Sequence, residues 1–140
     1  MIEVYTDGAS RGNPGKAAIG FSIYGNGGKL HEDSRFIGIA TNNQAEYRAM
    51  LFAVEKAKEF DNEAIFHSDS ELLIKQLNGT YRIKNRMLKE IFLKIKGNER
   101  SFLRVEYRNL PRENERIKSV DKRLNRLLDE ITKKREKEDW

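Results

Sequence analysis

The order of strand-like and helix-like segments is the feature of this sequence that most constrains its fold. Residues 2–6 alternate apolar and polar side chains, and strand-like segments follow at residues 17–25 and 30–40 across short turns rich in glycine and asparagine. Short turns connect antiparallel neighbours, whereas parallel neighbours need a long crossover. The N-terminal part of the chain therefore predicts a three-stranded antiparallel meander.

Helices and strands alternate over the rest of the chain. A helix is predicted to begin at Thr41 and Asn42, because these small polar residues precede apolar residues that recur every three or four positions. The remaining predicted elements are strands at residues 63–68 and 102–107, helices at 70–77 and 85–96 (with Met87 facing inward), and a C-terminal helix with apolar residues from Ile117 to Ile131. The predicted fold class is α/β, a mixed sheet with helices packed on it.

Length and composition predict one soluble domain. We place the domain at residues 1–136 of the 140-residue chain and a frayed tail at residues 137–140. The absence of cysteine excludes disulfides and thiolate metal sites. No apolar run approaches the roughly 20 residues of a membrane helix, and the N-terminus lacks the pattern of a signal peptide. We therefore expect a monomeric, cytoplasmic protein without membrane association.

Positive charge is concentrated in one part of the chain. The net charge is +5, and residues 82–104 hold eight Lys or Arg and only two Glu. A local basic stretch on a near-neutral body is typical of a surface that contacts a polyanion such as nucleic acid. A solvated helix face would have the same composition, so charge alone leaves both interpretations open.

Two catalytic patterns are disfavoured by the sequence. The glycine-rich segment 8–16 lacks the Ser or Thr that would follow Gly15 and Lys16 in a phosphate-binding loop. Ser10 has no evident histidine partner, and His67 lies inside a predicted strand, where a packed residue is more common than a catalyst. We therefore expect neither a nucleotide-binding loop nor a histidine-activated nucleophile.

Three carboxylates occupy positions that a surface role explains poorly. Asp7 follows the first predicted strand, Asp69 follows the fourth, and Glu46 shares a helix stripe with Met50 and Ala53. The two strand ends can lie side by side in a mixed sheet, and a carboxylate on an inward stripe needs a compensating partner. Each acid alone could cap a turn or helix or lie at the surface. The three together favour a common site.

A cluster of these acids requires compensating positive charge. Two like charges 4 Å apart repel by about 1 kcal/mol in water and about 4 kcal/mol at an intermediate dielectric. Apart from Arg11, few Lys or Arg lie near the three acids in the sequence. Hard divalent cations prefer oxygen ligands. The acids therefore predict a metal centre that takes Mg²⁺.

Three longer motifs resemble those of type 1 ribonuclease H. The motifs are YTDGASRGNPGKAAIGFSI, TNNQAEYRAMLFAVEKA and HSDSELLIKQLNGTYRIKN, in this order and at suitable spacing over nearly the whole chain. The segment NGTYRIKNRML (residues 78–88), which begins inside the third motif, leaves no room for the protruding basic helix of some relatives. The resemblance implies a ribonuclease H-like fold, with a five-stranded mixed sheet flanked by α-helices. It also implies a site of four carboxylates, three of which match Asp7, Glu46 and Asp69.

The fourth carboxylate is expected on the C-terminal helix. The family pattern of Arg-Glu-x-Asn, a short gap and then Asp corresponds here to PRENERIKSVDKRL, which offers Asp121. The gap after Asn114 is longer than the family usually shows. Glu115 therefore stays as a competitor, and Asp129 as a more distant one.

The resemblance implies a metal-dependent endoribonuclease. It would cleave the RNA strand of RNA–DNA hybrids to 5′-phosphate and 3′-hydroxyl ends with two Mg²⁺ ions, or with Mn²⁺ in their place. Asp7, Glu46, Asp69 and Asp121 would be both metal ligands and catalytic residues. Two alternatives stay open: a catalytically impaired module that binds hybrids or duplexes on the same fold, and a relative with another nucleic-acid substrate. Cleavage of other RNA-containing duplexes also stays open.

The resemblance also assigns substrate contacts. The residues matched to positions that contact the hybrid are Asn13, Thr41, Asn42, Asn43 and Glu71. In the basic stretch, Lys84, Arg86 and Lys89 are expected near phosphates, since no protruding helix is present to bind them. Family members often have a histidine in the loop before the last helix. This sequence has none there, and Arg112, Glu113 or no residue at all takes its place.

Overall fold

The computed structural model describes residues 1–138 of the chain. Its elements follow the predicted order: β1 (Ile2–Ser10), β2 (Gly15–Gly25), β3 (Gly28–Ala40), α1 (Asn42–Ala57), β4 (Glu63–Ser68), α2 (Glu71–Leu77), α3 (Arg86–Asn98), a 3-10 turn (Glu99–Ser101), β5 (Arg104–Asn109) and α4 (Glu115–Glu138). Helix α4 includes the first residues of the predicted tail, and residues 139–140 of that tail lie outside the described residues.

The five strands form one mixed sheet in the order β3, β2, β1, β4, β5. Strands β1, β2 and β3 pair antiparallel, which confirms the predicted meander. Strand β4 pairs parallel to β1, and β5 pairs parallel to β4. Because parallel strands end at the same edge of a sheet, the carboxyl ends of β1 and β4 lie side by side. The predicted α/β class with a mixed sheet is confirmed.

Helices cover both faces of this sheet. Successive strand residues point to opposite faces, so Val4 and Tyr5 belong to different layers. Val4 packs with Tyr47 and Met50 of α1 and with Ile95 of α3. The buried residues of the layer between the sheet and α4 are Tyr5, Ala18, Ile117, Val120, Leu124 and Leu128. Burial of each leucine side chain stabilises the folded state by about 1.5–3 kcal/mol, so α4 is held firmly on its face of the sheet. No helix within residues 1–138 is both long enough and apolar enough to span a membrane.

Strand β1 extends further than its sequence pattern predicts. Residues 8–10 have the composition of a turn, yet they continue β1 opposite β2, with Gly8 paired to Ile19. The turn itself is confined to residues 11–14. Asp7 therefore lies inside the antiparallel pair of β1 with β2, and only its pairing with β4 has ended at this point.

The connection between α2 and α3 is short. Residues 78–85 contain no further helix, which confirms that a protruding basic helix is absent from this connection. Met87, predicted to face inward, is 53% exposed, so this prediction is wrong. It lies in the first turn of α3, where its sulfur accepts a hydrogen bond of 3.0 Å from Gln44 Nε2. The buried stripe of α3 begins one residue later, at Leu88.

Candidate active site

Three carboxylates meet at the sheet edge where β1 and β4 point. Asp7 lies on β1, Asp69 directly follows β4, and Glu46 lies near the start of α1. One carboxylate oxygen of each lies within 4.8 Å of an oxygen of the other two. Asp7 is only 5% exposed, and the other two residues are half-buried. The structure thus brings together the three acids that the sequence places at separate positions.

The register of two parallel strands aligns two of these acids. The pairing of β1 with β4 ends with Tyr5 opposite His67. Asp7 and Asp69 each lie two residues beyond this last pair, and an interval of two returns each side chain to the same face of its strand. Both carboxylates therefore leave the sheet at the same height and on the same side.

A glycine brings the third acid to them. A Cβ atom on Gly8 would lie 2.4 Å from the carbonyl carbon of Ala45 in α1, closer than any real contact. Without that atom, the Gly8 N–H donates a hydrogen bond of 3.2 Å to Glu46 Oε1. The Ser68 hydroxyl donates a longer one of 3.4 Å to Glu46 Oε2. Close contact between β1 and α1 thus fixes Glu46 beside Asp7.

Burial and repulsion from neighbouring carboxylates raise the pKa of all three carboxyl groups. For Asp7 the largest cause is burial, followed by the charges of Glu46, Asp69 and Asp121. Burial and then the charge of Asp69 raise the pKa of Glu46. Burial also raises the pKa of Asp69, and the nearby Arg112 guanidinium opposes this shift. Without a bound cation, these groups keep their protons to higher pH than ordinary carboxyls do.

The donor set fits hard divalent cations. It consists of carboxylate oxygens alone, which Mg²⁺ prefers. No Lys or Arg in the described part of the chain forms an ion pair with Asp7, Glu46 or Asp69. Arg112 offsets the repulsion only in part, at Asp69, and the rest is relieved either by protonation or by a bound metal ion. The predicted cation requirement is therefore consistent with the geometry.

Helix α4 forms the opposite side of a cleft of about 590 Å³ around these acids. The cleft has two walls, which we define by their residues: the sheet wall is Asp7, Glu46 and Asp69, and the α4 wall is Lys118, Asp121 and Asn125. A fourth carboxylate thus faces the other three across the cleft.

The three candidates for that fourth carboxylate lie in different surroundings. Asp121 lines the cleft. Glu115 lies outside it and lines a neighbouring groove. Asp129 forms an ion pair of 2.6 Å with Arg11. The geometry therefore favours Asp121.

An arginine in the loop after β1 connects this loop to the α4 wall. Arg11 Nη2 donates a hydrogen bond of 3.0 Å to the main-chain oxygen of Asn125, in addition to its ion pair with Asp129. The Asn125 side chain in turn donates one of 3.0 Å to the main-chain oxygen of Asp121. We call residues 11–14 the strap, because they run from the start of α1 to α4 at one end of the cleft.

The predicted hybrid contacts at the start of α1 are bonded to the strap and its flank. The Asn42 N–H donates to Asn13 Oδ1 at 3.2 Å, and Asn42 Oδ1 accepts from the Ser10 N–H at 3.1 Å. Thr41 caps α1, with its hydroxyl accepting from the Gln44 N–H. Of the predicted contacts, Asn42 alone also lines the cleft, and Asn43 is exposed beside it.

The other predicted contacts lie outside the cleft. Glu71, in the first turn of α2, forms an ion pair of 2.6 Å with Lys75. Lys84, Arg86 and Lys89 are exposed around the start of α3. The contact between Gln44 and Met87 places them beside the start of α1, on the side of the sheet that α4 does not cover. The structure therefore does not place these residues in the cleft.

No histidine lines the cleft within residues 1–138. His67 is buried, its ring stacks on Tyr5 with 4.5 Å between centroids, and its Nε2 lies 3.3 Å from Glu3. Burial lowers the pKa of His67, so it is a neutral packed residue as predicted. Arg112 and Glu113, the two residues considered as replacements for the family's loop histidine, both line the cleft.

Comparison with known proteins gives the family. The family model described as RNase H matches residues 1–138. The chain belongs to the RNase H family. The match covers every element from β1 to α4, and therefore both walls of the cleft.

Individual RNase H relatives agree with this assignment. Ribonuclease HI of Halobacterium salinarum is 49% identical over 82 residues, which are 57% of this chain and 41% of that protein. The crystal structure of RNase H1 from the same archaeon superposes with a TM-score of 0.84 at 37% identity, over 92% of this chain and 98% of that one. The structure of LC11-RNase H1 in complex with an RNA/DNA hybrid superposes with a TM-score of 0.81 at 37% identity, over 91% of this chain and 99% of that one. The match to this chain spans less than two thirds of the length of the first curated relatives. It spans 41% of the Halobacterium salinarum protein and 31% of a Mycobacterium tuberculosis protein described as bifunctional. Because the solved neighbours are RNases H1, the resemblance to type 1 is confirmed.

Sequence reasoning missed two polar residues on the α4 side of this RNase H cleft. Lys118 and Asn125 line it together with Asp121. They lie three residues before and four residues after Asp121, which places all three on one helix face. Helical spacing from Asp121 could have identified them.

Proposed function

We propose that this chain is a metal-dependent endoribonuclease that cleaves the RNA strand of RNA–DNA hybrids, leaving 5′-phosphate and 3′-hydroxyl ends. The observation that carries the proposal is the cluster of Asp7, Glu46 and Asp69, whose oxygens lie within 4.8 Å of one another. Family membership and the likeness to an RNase H1 that binds an RNA/DNA hybrid support this substrate. Residues 1–136 would form the catalytic domain, acting as a monomer.

The four carboxylates would hold two Mg²⁺ ions, or Mn²⁺ in their place. When bound, such ions supply an activated water and a stabilised leaving oxygen for an in-line displacement. Asp7, Glu46 and Asp69 would bind from the sheet wall and Asp121 from the α4 wall. Their negative charge and shared burial also exclude a nucleic-acid phosphate from the cleft unless cations are present.

Selection of RNA would depend on polar groups beside the carboxylates. The 2′-hydroxyl both donates and accepts a hydrogen bond. Asn42 lines the cleft, and Asn13 and Asn43 lie next to it on the strap and on α1. Amide side chains offer both a donor and an acceptor, which suits a hydroxyl. Thr41 would hold a DNA phosphate at the start of α1.

Arg112 would bind a phosphate in the place of the family's histidine. It lines the cleft near Asp69. Because a guanidinium stays charged in proteins, it is unsuited to proton transfer but suited to a phosphate oxygen. Glu113, which also lines the cleft, is the group there that can exchange a proton.

A panel of matched duplexes tests the proposal. We expect cleavage of the RNA–DNA hybrid in Mg²⁺, none in EDTA, and none of the DNA–DNA duplex of the same sequence. End-group analysis should give 5′-phosphate and 3′-hydroxyl products, and an RNA–RNA duplex measures how far the substrate range extends. Equal rates on hybrid and DNA–DNA would contradict selection through the 2′-hydroxyl. Hybrid binding without cleavage in Mg²⁺ would support the alternative of a catalytically impaired binding module.

A further inference from the structure

The cations at residues 115–126 of α4 fall into two groups with different surroundings. Arg116 lies over the Tyr24 ring at 3.9 Å, and Arg123 donates to the main-chain oxygen of Phe21 and to the Ser22 hydroxyl. These two arginines therefore pack α4 onto the sheet. The second group consists of Lys118, Lys122 and Arg126, which are exposed. None of these three forms an ion pair with any residue in the described range 1–138.

The second group forms a regular stripe, which we call the α4 stripe (Lys118, Lys122 and Arg126). Its members are four residues apart, so they lie on one face of the helix at intervals of about 6 Å along its axis. Like charges at this spacing destabilise a helix by a few tenths of a kcal/mol per pair. Stability of α4 therefore does not account for the stripe.

The stripe begins inside the cleft and continues out of it. A shallow groove of about 580 Å³ runs along α4 beside the cleft, and Lys118 and Lys122 both line it. Lys118, Asp121 and Asn125 line the groove and the cleft alike, so the two depressions are continuous. A polymer with a phosphate at the carboxylates can therefore continue along α4 without leaving the surface.

We infer that the α4 stripe binds backbone phosphates of the cleaved strand on one side of the scissile bond, which is the RNA strand if the proposed function holds. The carboxylates can act only on a phosphate in the cleft, and Lys118 and Lys122 of the stripe line the surface that continues from the cleft along α4. Lys84, Arg86 and Lys89 lie on the other face of the sheet, beside the start of α1. The two basic surfaces would thus contact different strands, the stripe the RNA and the start of α3 the DNA.

Strand-specific crosslinking tests this inference directly. The chain contains no cysteine, so Lys122→Cys carries a photoactivatable maleimide at a single site. The labelled protein is bound in Ca²⁺ to a hybrid whose RNA and DNA carry different dyes. We expect at least about fivefold more crosslinking to RNA than to DNA from Lys122→Cys, and the reverse preference from Lys84→Cys. Equal labelling of the strands by Lys122→Cys, or a preference for DNA, overturns the inference.

A salt titration of activity gives an independent measurement. The triple variant Lys118→Ala/Lys122→Ala/Arg126→Ala removes three charges from the stripe, and Lys29→Ala/Lys56→Ala/Lys58→Ala removes three that line neither the cleft nor the groove. Each lost phosphate contact lowers the slope of log KM against log salt by about 0.7–0.9. We expect the slope to fall by about 2 in the stripe variant and to stay unchanged in the control.

The two measurements separate failure of the inference from failure of the proposed function. If the wild type does not cleave hybrids in Mg²⁺ at any salt concentration, the proposed function fails. If it cleaves hybrids and the stripe variant has the same salt dependence as the control, the inference alone fails. Circular dichroism of both triple variants checks that α4 remains folded.

Discussion

The two walls of the cleft are built in different ways. On the sheet wall, Asp7 and Asp69 are fixed by the register of two central strands, and Glu46 by direct contact of α1 with Gly8. On the α4 wall, Asp121 is placed by the packing of a whole helix and by side-chain bonds through Arg11. The comparison shows that backbone pairing sets the geometry of one wall, whereas side-chain contacts set that of the other. We therefore expect the sheet wall to tolerate change less than the α4 wall does.

The largest effect is expected from Asp7→Asn. This change removes the most buried carboxylate of the sheet wall and keeps its shape. Loss of charge stabilisation worth several kcal/mol corresponds to a decrease in kcat on the order of 10³-fold or more. Hybrid cleavage in Mg²⁺ measures the effect, with Glu55→Gln as a control, since Glu55 is an exposed acid on α1. Full activity of Asp7→Asn would rule out the proposed chemistry.

A smaller loss is expected from Gly8→Ala, which separates Glu46 from Asp7 without changing any charge. The added methyl meets the α1 backbone at 2.4 Å, so α1 must shift. We expect kcat to fall by about 10²-fold and the free energy of unfolding to fall by about 1–3 kcal/mol. Gly97→Ala is the control: nothing lies within 4 Å of its Cβ, and alanine should stabilise α3 by up to about 1 kcal/mol. An unchanged kcat in Gly8→Ala would show that Glu46 need not lie close to Asp7.

Asp121→Asn tests the α4 wall in the same way. We expect kcat to fall by roughly 10- to 100-fold, less than for Asp7→Asn, because three carboxylates of the sheet wall still remain. Glu115→Gln should retain activity within about threefold, since Glu115 lies outside the cleft. The reverse result for these two variants would assign the fourth carboxylate to Glu115.

A still smaller effect on activity is expected from removing the contact between the strap and α4. Arg11→Ala and Asp129→Asn each remove one partner of a partly exposed ion pair. The free energy of unfolding should therefore change by no more than about 1 kcal/mol. We expect each to raise the Mg²⁺ concentration for half-maximal activity by about three- to tenfold, because the loop that supports Asn125 is released. The double variant should resemble the single variants. Additive effects would indicate that the two residues act independently.

The smallest effect concerns stability without metal. The pKa of Asp7 and that of Glu46 are raised by burial and by neighbouring carboxylates. A carboxyl whose pKa is higher in the folded state favours folding below its unfolded pKa, near 4, and loses this contribution as pH rises. In EDTA, Asp7→Asn should therefore unfold at a higher temperature than wild type at pH 8, by about 3–10 °C, and the difference should shrink towards pH 4. Mg²⁺ should reduce this difference in unfolding temperature, because it binds and stabilises the wild type. A difference independent of pH would contradict the electrostatic cause.

The sequence by itself determined the elements and the three acids of the sheet wall. Alternation of apolar residues is a local property, so strand and helix order followed from it. The extension of β1 to Ser10, the start of β5 two residues later than predicted, the 3-10 turn and the exposure of Met87 did not follow from it. Gly8 lies in a segment whose composition is typical of a turn. Its actual role, to admit the α1 backbone, depends on a contact between residues far apart in the sequence.

Only the tertiary structure decided the α4 wall. The motif spacing left Asp121, Glu115 and Asp129 as candidates, because the gap after Asn114 differs from the usual family pattern. Which of them faces the cleft depends on the rotation of α4, and its packing against β1 and β2 sets that rotation. Long-range packing of this kind fixes a helix about its axis, and no local sequence pattern specifies it.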